Sequence, residues 1–380
     1  MRILSLSLDP QILNKESVVA ARTLRYGETA GTFTVIVPSV ERAILALSPA
    51  VSVYGTGGGN KLTRLCRMFT VARSLLKKEA YDVISSQDTY FLGLLALFLG
   101  RIFHTGVEVQ VLGIEKLSFF RKMLSQFVLR RAGSIRVLSL GLKKRLLKEF
   151  KLSEARMVLV PIYVDVSSLG FDTERQSPAL QAEMELHRKA FHDAYGDRFN
   201  IVSVNRLVPI KNIPMQIEAI ARLHNEFPQI LLHILGDGPL HAELKEEIEK
   251  RGLSTHVLLH GYKSGAALSA YLTEGDCYVL TSDFEGYGMA VIEAATAGLP
   301  IIMTDVGCAG EVIKDGESGL VVPVEDADAF TQALRSVIAD RALRERLRSG
   351  AQKCIAELPS FDTVLERYQA SWQQALAHRS

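Results

Sequence analysis

The sequence has few of the residues that build covalent or metal-bound scaffolds. Only four of its 380 residues are cysteines. They form no C-x-x-C pair and are too sparse for a disulfide framework, which excludes a small disulfide-rich protein, argues against a structural zinc site and favours a reducing compartment. Long hydrophobic runs are also lacking, because the longest one, Tyr90–Gly100, ends at Arg101 and is too short to span a bilayer. Met1–Asp9 predicts a strand rather than a signal peptide, so we expect a cytoplasmic protein.

The net charge is close to zero, but positive and negative residues are unevenly distributed along the sequence. The formal net charge is +2, yet residues 1–165 contain 24 Lys and Arg against 12 Asp and Glu, a net of +12. The remainder contains 20 against 30, a net of −10. A basic half joined to an acidic half indicates a polyanionic partner for the first half, either a membrane surface or nucleic acid. No recognised nucleic-acid-binding motif is present, so we expect no nucleic acid partner.

Apolar runs alternate with helical patterns in two successive series, which predicts two α/β domains with parallel sheets. In the first half the predicted strands are Ile3–Leu8, Phe33–Val37, Asp82–Ser85, Val107–Leu112, Ser134–Ser139 and Met157–Pro161. In the second half they are Phe199–Val204, Ile230–Leu235, Val257–His260, Cys277–Leu280, Ile301–Thr304 and Gly319–Val322. Predicted helices include Leu62–Lys78, Gly141–Phe150, Pro214–Phe227, His241–Arg251, Ala327–Asp340, Arg341–Glu357 and Phe361–Ala377.

These elements predict two Rossmann-like, doubly wound domains that face each other across a cleft. The predicted divisions are an N-terminal domain at 1–165, a part-helical linker or insert at 166–198, a C-terminal domain at 199–360 and a final helix at 361–380. In open parallel sheets, ligands bind beyond the carboxyl ends of the strands. We therefore look for chemistry in the loops that follow the strands.

The stretch Asp283–Glu293 reads D-F-E-G-Y-G-M-A-V-I-E and follows a predicted strand. Its glycines let backbone approach a ligand, and free N–H groups at a helix start favour phosphate. Glu285, at the turn, is placed to accept hydrogen bonds from sugar hydroxyls, and Glu293, about two helical turns later, is placed to reach a ribose. The spacing suits a nucleotide sugar; the alternative is an ordinary glycine turn with solvated glutamates.

Two cations follow the strand Phe199–Val204, in the segment N-R-L-V-P-I-K-N. Arg206 offers a planar fork and Lys211 a point charge, and both suit a diphosphate. The alternative is a pair of surface cations. Gly236, in G-D-G-P after the next predicted strand, indicates a turn.

Taken in order, these segments with A-G-L-P-I-I and D-G-E-S-G-L-V resemble the retaining glycosyltransferases of family 4 (glycosyl transferases group 1) over roughly residues 199–325. The resemblance implies the GT-B fold, a nucleotide-sugar donor held by the second domain, an acceptor held by the first, and neither metal nor cofactor. It also implies that the last helix crosses back onto the first domain.

The same resemblance implies roles for single residues. Arg206 and Lys211 neutralise the donor diphosphate, and with Glu285, which contacts the donor sugar, they are the predicted catalytic residues. Glu293 binds the ribose. The remaining predicted donor-binding residues are Gly236, Gly286, Tyr287, Gly288 and Met289.

The first domain departs from the family pattern. Leu112 stands where a histidine is common, which leaves open an altered or an inactive enzyme. Gln87, Asp88 and Glu115 are candidates for the acceptor side, with simple loop polarity as the alternative.

Lys116–Arg131 predicts a basic amphipathic helix, in which Arg121, Lys122, Arg130 and Arg131 are membrane candidates. The alternative is a helix that packs on the core and has a solvated basic face.

The sequence therefore predicts a metal-independent glycosyltransferase, specifically a hexosyltransferase, that moves a sugar from a nucleotide sugar to a saccharide or lipid-linked acceptor. Such activities serve the synthesis of cell-surface polysaccharides or glycolipids. We expect a cytoplasmic location, with an anionic membrane surface at the inner face as a further candidate partner. A nucleotide-sugar epimerase and a non-catalytic nucleotide-sugar-binding subunit remain alternatives.

Overall fold

The structure is a computed structural model that describes residues 1–113, 118–165 and 177–379. The chain divides into two compact units, each α/β, as the sequence predicts. Unit 1 comprises Met1–Tyr163 together with Pro359–Ser380, and unit 2 comprises Val164–Leu358.

Each unit contains one sheet. The strands of unit 1 are β1 (Arg2–Leu6), β2 (Thr32–Val37), β3 (Arg42–Ala46), β4 (Val51–Thr56), β5 (Val83–Ser86), β6 (Gly106–Val111), β7 (Ser134–Val137) and β8 (Met157–Leu159). Those of unit 2 are β9 (Phe199–Val204), β10 (Ile230–Leu235), β11 (Val257–Leu259), β12 (Cys277–Leu280), β13 (Ile301–Thr304) and β14 (Leu320–Val322). Their orders are β3-β4-β2-β1-β5-β6-β7-β8 and β11-β10-β9-β12-β13-β14, and only β3 pairs antiparallel.

Helices cover both sheets. Unit 1 begins with α1 (Val18–Gly27), α2 (Lys61–Lys78), α3 (Phe91–Phe103), α4 (Phe119–Arg131) and α5 (Leu140–Phe150). Unit 2 has α6 (Pro178–Tyr195), α7 (Ile213–Leu223), α8 (His241–Lys250), α9 (Gly265–Glu274), α10 (Met289–Thr296), α11 (Ala327–Ala339) and α12 (Arg341–Ala356). The last helix, α13 (Phe361–Ala377), belongs to unit 1.

The helices of unit 1 divide between the two faces of its sheet. The crossovers through α2, α3 and α4 all advance along the sheet in one direction, so right-handed connections place these helices on one face. The crossover through α1 runs in the opposite direction, which places it on the other face. There the Tyr26 ring of α1 stacks on the Tyr368 ring of α13, with centroids 4.5 Å apart.

The final helix is part of the core of unit 1. Trp372 is 2% exposed and packs in the same cluster as Phe33. Beside it, the Ser371 hydroxyl donates to the carboxylate of Glu108, which is fully buried on β6 and lies 3.7 Å from the Arg136 guanidinium. A buried ion pair needs such additional hydrogen bonds to offset the loss of water. The helix is therefore held by both apolar and polar contacts.

Helix α6 lies in the segment 166–198, which the sequence predicts as a part-helical linker or insert, and it belongs to unit 2. It packs against α9 inside unit 2, and its Phe191 ring lies edge-on to the Tyr271 ring. Met184 and Phe191 are the buried residues of α6. A helix with so few buried side chains has a polar composition, which explains the linker prediction.

Candidate functional site

The loops that follow β9 and β12 are joined by hydrogen bonds. These strands are neighbours in the sheet, so their carboxyl ends meet. The Thr281 hydroxyl donates to the carbonyl oxygens of Lys211 and Asn212, each 3.0 Å away, and the Asp283 N–H donates to the Ile210 carbonyl at 2.8 Å. Two segments about 70 residues apart in sequence therefore form one rigid platform.

On this platform Lys211 and Glu285 form an ion pair. The Lys211 Nζ donates to Glu285 Oε1, which also accepts from the Ser282 hydroxyl at 2.7 Å. The two side chains are only 15% and 13% exposed. Lys211 ends a 3₁₀ turn, Pro209–Lys211, and the next residue, Asn212, adopts a left-handed conformation with φ 45°. The tight turn aims the ammonium group at the loop after β12.

Arg206 lies on the same loop as Lys211, but its surroundings differ. It directly follows Asn205 at the end of β9, and its side chain is exposed. Within residues 1–113, 118–165 and 177–379 it makes no ion pair and no side-chain hydrogen bond. The loop after β9 thus presents one cation paired to a carboxylate and one that is open to solvent.

The loop 285–288 leads into the start of α10. Gly288 has φ 91°, a conformation that L side chains rarely adopt, and Met289 is the first residue of the helix. No side chain of the described residues caps this N-terminus. Tyr287 is buried. Uncapped N–H groups at a helix start are a favourable environment for an anion.

Glu293 lies further along α10 and is half-buried. Burial raises the pKa of its carboxyl group. In the part of the chain that the structure describes, its side chain accepts no hydrogen bond. A carboxylate in a partly dehydrated position without a donor is a ready acceptor for hydroxyl groups.

Gly236, predicted to bind the donor, has a structural explanation. Its φ is 137°, and a Cβ there would lie 1.7 Å from the carbonyl oxygen of Asn205. The glycine therefore lets the loop after β10 approach the loop after β9. This close approach of two loops explains why position 236 is a glycine, whether or not a ligand binds there.

The acceptor-side candidates of unit 1 are engaged in local structure. One carboxylate oxygen of Asp88 accepts from the N–H groups of Tyr90 and Leu92, at 2.8 and 3.0 Å, and so caps the start of α3. Burial raises the pKa of this carboxyl group. The Gln87 side chain accepts from the Ser7 hydroxyl at 2.7 Å. Leu112, just after β6, is 47% exposed, and Glu115 lies outside the described residues.

The four membrane candidates, Arg121, Lys122, Arg130 and Arg131, are all exposed on α4. Their helix begins at Phe119, so the first residues of the predicted segment Lys116–Arg131 lie outside the described part of the chain.

A cavity of about 620 Å³ lies elsewhere in unit 2. It is lined by the end of α6, including His192 and Asp193, and by Arg198, Leu231 and Leu258 near the starts of strands. Ligands of parallel sheets bind at the opposite, carboxyl ends. We therefore place the candidate site at Lys211, Glu285 and Glu293.

The candidate site lies within the part of the chain that matches a known family. The model of the family described as Glycosyl transferases group 1 matches residues 186–354, which include Lys211, Glu285 and Glu293. Over these residues the chain is similar to the group 1 glycosyl transferases. The predicted resemblance to the group 1 glycosyl transferases is confirmed over these residues, whereas membership of family 4 and retention stay predictions.

Relatives of this chain include an alpha-D-kanosaminyltransferase of Streptomyces kanamyceticus, 31% identical over 45% of this chain and 45% of the relative. A second is a UDP-Gal:alpha-D-GlcNAc-diphosphoundecaprenol alpha-1,3-galactosyltransferase of Escherichia coli, 28% identical over 71% of this chain and 69% of the relative. The chain spans about half the length of several of the curated relatives that it matches, the first of these included.

The fold comparison extends beyond the family match. HepE of Anabaena, solved in complex with UDP and glucose, superposes with a TM-score of 0.73 at 17% identity, over 98% of this chain and 99% of HepE. At this identity the likeness shows the fold alone. The prediction of a GT-B fold is confirmed.

Proposed function

We propose that the protein is a glycosyltransferase that takes a sugar from a nucleotide-sugar donor and transfers it to a saccharide or lipid-linked acceptor. The single observation that carries this proposal is the Lys211–Glu285 pair, held between the β9 and β12 loops inside the region that matches the family. The relatives support the substrate classes, since one uses a UDP-sugar and a diphosphoundecaprenol acceptor, and a protein of the same fold binds UDP and glucose.

The geometry suggests how the bond to the leaving nucleotide is weakened. A diphosphate placed at the start of α10 competes with Glu285 for the Lys211 ammonium. As Lys211 moves towards phosphate oxygens, the oxygen Oε1 of Glu285 becomes free to accept a hydrogen bond from the donor sugar. Arg206 supplies a second cation for the charge that develops on the leaving diphosphate, and preorganised charge of this kind is the largest catalytic term in many enzymes.

Glu293 is assigned to the nucleotide end of the donor. Its half-buried carboxylate lies on α10, five residues beyond the helix N-terminus at Gly288. A ribose has two neighbouring hydroxyl groups that can donate to such an acceptor. The arrangement therefore orders the donor with its sugar near Glu285, its diphosphate near Lys211 and its ribose near Glu293.

We further propose that transfer needs no metal ion and retains the anomeric configuration. Lys211 and Arg206 supply positive charge where a metal would otherwise bridge the diphosphate. The support for retention is the resemblance of the motifs to the retaining family.

The test is incubation of the purified protein with a panel of nucleotide sugars, in excess chelator, scored for free nucleotide and for products. We expect one donor to release nucleotide, faster when an acceptor saccharide or lipid is added, with an α-linked product by NMR if the donor is α-linked. Conversion of the donor into its epimer without nucleotide release would favour an epimerase. Nucleotide binding without turnover of any donor would favour a non-catalytic subunit, and activity that appears only with Mg²⁺ or Mn²⁺ would contradict the metal-free mechanism.

A further inference from the structure

Helix α3 is apolar on the side that faces the sheet and also on the side that faces away from it. Leu92, Ala96 and Leu99 are buried beneath the helix. The opposite side carries an exposed stripe of Phe91, Leu94, Phe98 and Ile102, with Phe98 54% exposed. A helix that is hydrophobic all round is normally buried on all sides. The outer stripe therefore indicates a surface that meets an apolar environment.

The neighbouring helix extends this surface. Helix α4 packs closely against α3, and a Cβ at Gly93 would lie 2.6 Å from the Val128 side chain. Its exposed apolar side chains are Phe119, Phe120, Met123 and Phe127, of which Phe119 is 82% exposed. We call the two sets of exposed residues, on α3 and α4, the α3–α4 face. Contiguous exposed apolar patches of this kind mark interaction sites.

Positive charge surrounds the α3–α4 face. Helices α2, α3 and α4 together contain eleven Lys and Arg and no Asp or Glu. On α4 the cations lie along the aromatic rings, with the Arg131 guanidinium 3.9 Å from the Phe127 ring centroid and that of Arg121 5.3 Å from the Tyr90 ring. Aromatic rings beside Lys and Arg are characteristic of the interfacial region of a bilayer, where the rings lie at headgroup depth and the cations contact lipid phosphates.

The same charge argues against the other occupants of an apolar surface. Two copies of the chain docked through this face would bring two acid-free groups of cations together, which like-charge repulsion disfavours. A soluble polyanion would match the cations, but it would leave the outer stripe of α3 in water. Among the described residues no helix is long and apolar enough to cross a membrane, so contact through this face would be peripheral.

We propose that the α3–α4 face docks unit 1 on an anionic lipid bilayer. The aromatic side chains enter the headgroup region, and the exposed cations of α4 contact the lipid phosphates. The sequence indicates a basic amphipathic helix over Lys116–Arg131 as a membrane candidate; the structure adds the exposed apolar stripe of α3. The proposal does not depend on the identity of the donor or on catalysis.

Flotation of the full chain with vesicles tests this. We expect it to float with vesicles of phosphatidylglycerol mixed with phosphatidylcholine, but not with phosphatidylcholine alone. Binding should weaken as salt rises, because the screening length falls from about 10 Å at 0.1 M to about 3 Å at 1 M. Each cation removed by Arg121→Gln or Lys122→Gln should lower the partition coefficient about fivefold.

The apolar contribution is tested by Phe98→Ser on α3 and Phe119→Ser on α4, each expected to weaken binding about tenfold. Leu186→Ser, at a 67% exposed site of unit 2, and Arg341→Gln with Arg346→Gln, both exposed on α12, are matched controls that should float like the parent chain. All these side chains are exposed, so circular dichroism and melting temperature should be unchanged.

Several results would overturn the proposal. The first is failure to float with anionic vesicles at low salt. The second is equal binding by Phe98→Ser and the parent chain, which would show that α3 does not contribute to lipid binding. The third is a concentration-dependent dimer in light scattering that Phe98→Ser or Phe119→Ser dissociates, which would assign the face to a second copy of the chain.

Discussion

Lys211 has a structural partner in Glu285, and the proposed function gives it a second partner, the donor diphosphate. Its ion pair with Glu285 is largely shielded from water. Removing only one member of such a pair leaves a poorly solvated charge, whereas Arg206 is exposed and has no partner among the described residues. Substitutions at the two cations should therefore separate the effect on rate from the effect on stability.

We expect Lys211→Ala and Arg206→Ala each to lower turnover by about 10²–10³, because each removes a preorganised charge from the leaving diphosphate. Only Lys211→Ala should also lower the free energy of unfolding, by about 1–3 kcal/mol, since it leaves Glu285 without its ammonium partner. Steady-state kinetics and urea denaturation measure the two effects.

The matched control is the double variant Lys211→Met with Glu285→Gln, which removes both charges. It should regain much of the lost stability and none of the activity. Turnover close to that of the parent chain in both single variants would show that the donor diphosphate binds elsewhere.

The two glutamates should differ in the kinetic constant that they affect. Glu285→Gln should mainly lower kcat, because this carboxylate is assigned to the reacting sugar. Glu293→Gln should mainly raise the donor KM, by about 10- to 100-fold for the loss of a hydrogen bond to a charged group. The reverse split would mean that the donor lies in the opposite orientation.

A stability measurement on Glu293→Gln gives an independent check of its environment. Burial disfavours the charged carboxylate, which is why the pKa of Glu293 is raised. The amide has the same shape and no charge, so at neutral pH the melting temperature should be unchanged or slightly higher. A clear fall would indicate that the carboxylate has a stabilising partner.

Among the elements of unit 2, a chain of partly buried hydrogen bonds joins α6 and α9 to β9, β10 and the residue after β11. The Tyr271 hydroxyl lies 3.1 Å from His260 Nδ1, and His260 Nε2 lies 3.0 Å from His233 Nδ1. His233 Nε2 lies 3.0 Å from Asn200 Oδ1, and the Asn200 amide donates to the Tyr195 carbonyl at the end of α6. With both imidazole rings neutral, every donor in this series of hydrogen bonds faces an acceptor.

This histidine chain predicts that stability falls in mild acid. Burial lowers the pKa of His233 to about 3 and that of His260 to about 4, from 6.5. Below pH 6.5 the unfolded chain therefore binds protons that the folded chain does not. The free energy of unfolding should decrease as pH falls from about 6.5 to about 4, by at most about 1.4 kcal/mol per pH unit for each imidazole.

Urea denaturation at pH 7 and pH 5 measures this slope. His260→Gln should reduce it, because one titrating group is lost, whereas His378→Gln at the exposed end of α13 should leave it unchanged. An equal slope in the parent chain and in His260→Gln would assign the acid sensitivity to other groups.

Comparison of predicted and observed elements shows where sequence patterns are informative. Strands β9, β10, β12 and β13 were predicted to the residue, because parallel strands buried on both faces are mostly apolar, even though β9 includes Asn200 and Ser203 and β10 includes His233. β3 and β4 were missed: β3 is an exposed antiparallel edge strand, and β4 contains Gly55. Neither has the mostly apolar, buried pattern of the four strands that were predicted.

The candidate site also has features that can be predicted from the sequence and features that cannot. Arg206, Lys211 and Glu285 are predicted site residues because each follows a strand, and the structure places Lys211 and Glu285 in contact. The ion pair between Lys211 and Glu285 could not be predicted, since it depends on β9 and β12 being neighbours across 74 residues of sequence. The capping role of Asp88 was missed as well, although an Asp shortly before an apolar helix is a recognisable signal.

At the scale of the molecule, order along the chain differs from membership of the two units. Unit 1 is built from the first 163 residues and the last 22, so its folding needs both ends of the chain. The division of charge follows the first of these segments, since residues 1–165 carry the net charge of +12. Truncation at the C-terminus should therefore damage the N-terminal part of the protein.

We expect deletion of 359–380 to unfold unit 1 and to spare unit 2. The deletion removes Trp372 from the core and the Ser371 hydroxyl from the buried Glu108 carboxylate. Loss of a buried Trp side chain alone typically costs about 3–5 kcal/mol, and the total stability of a domain is about 5–15 kcal/mol. Limited proteolysis with mass spectrometry should show rapid loss of residues 1–163 and a resistant fragment within 164–358.

Deletion of only 379–380 is the control and should match the parent chain, because His378 is the C-cap of α13 and the removed residues lie beyond it. In the full-length chain, Trp372→Ala should give a rate of proteolysis of residues 1–163 between those of the parent chain and of the deletion variant. Equal resistance of the N-terminal region with and without 359–380 would mean that the first 163 residues fold on their own, without a contribution from α13.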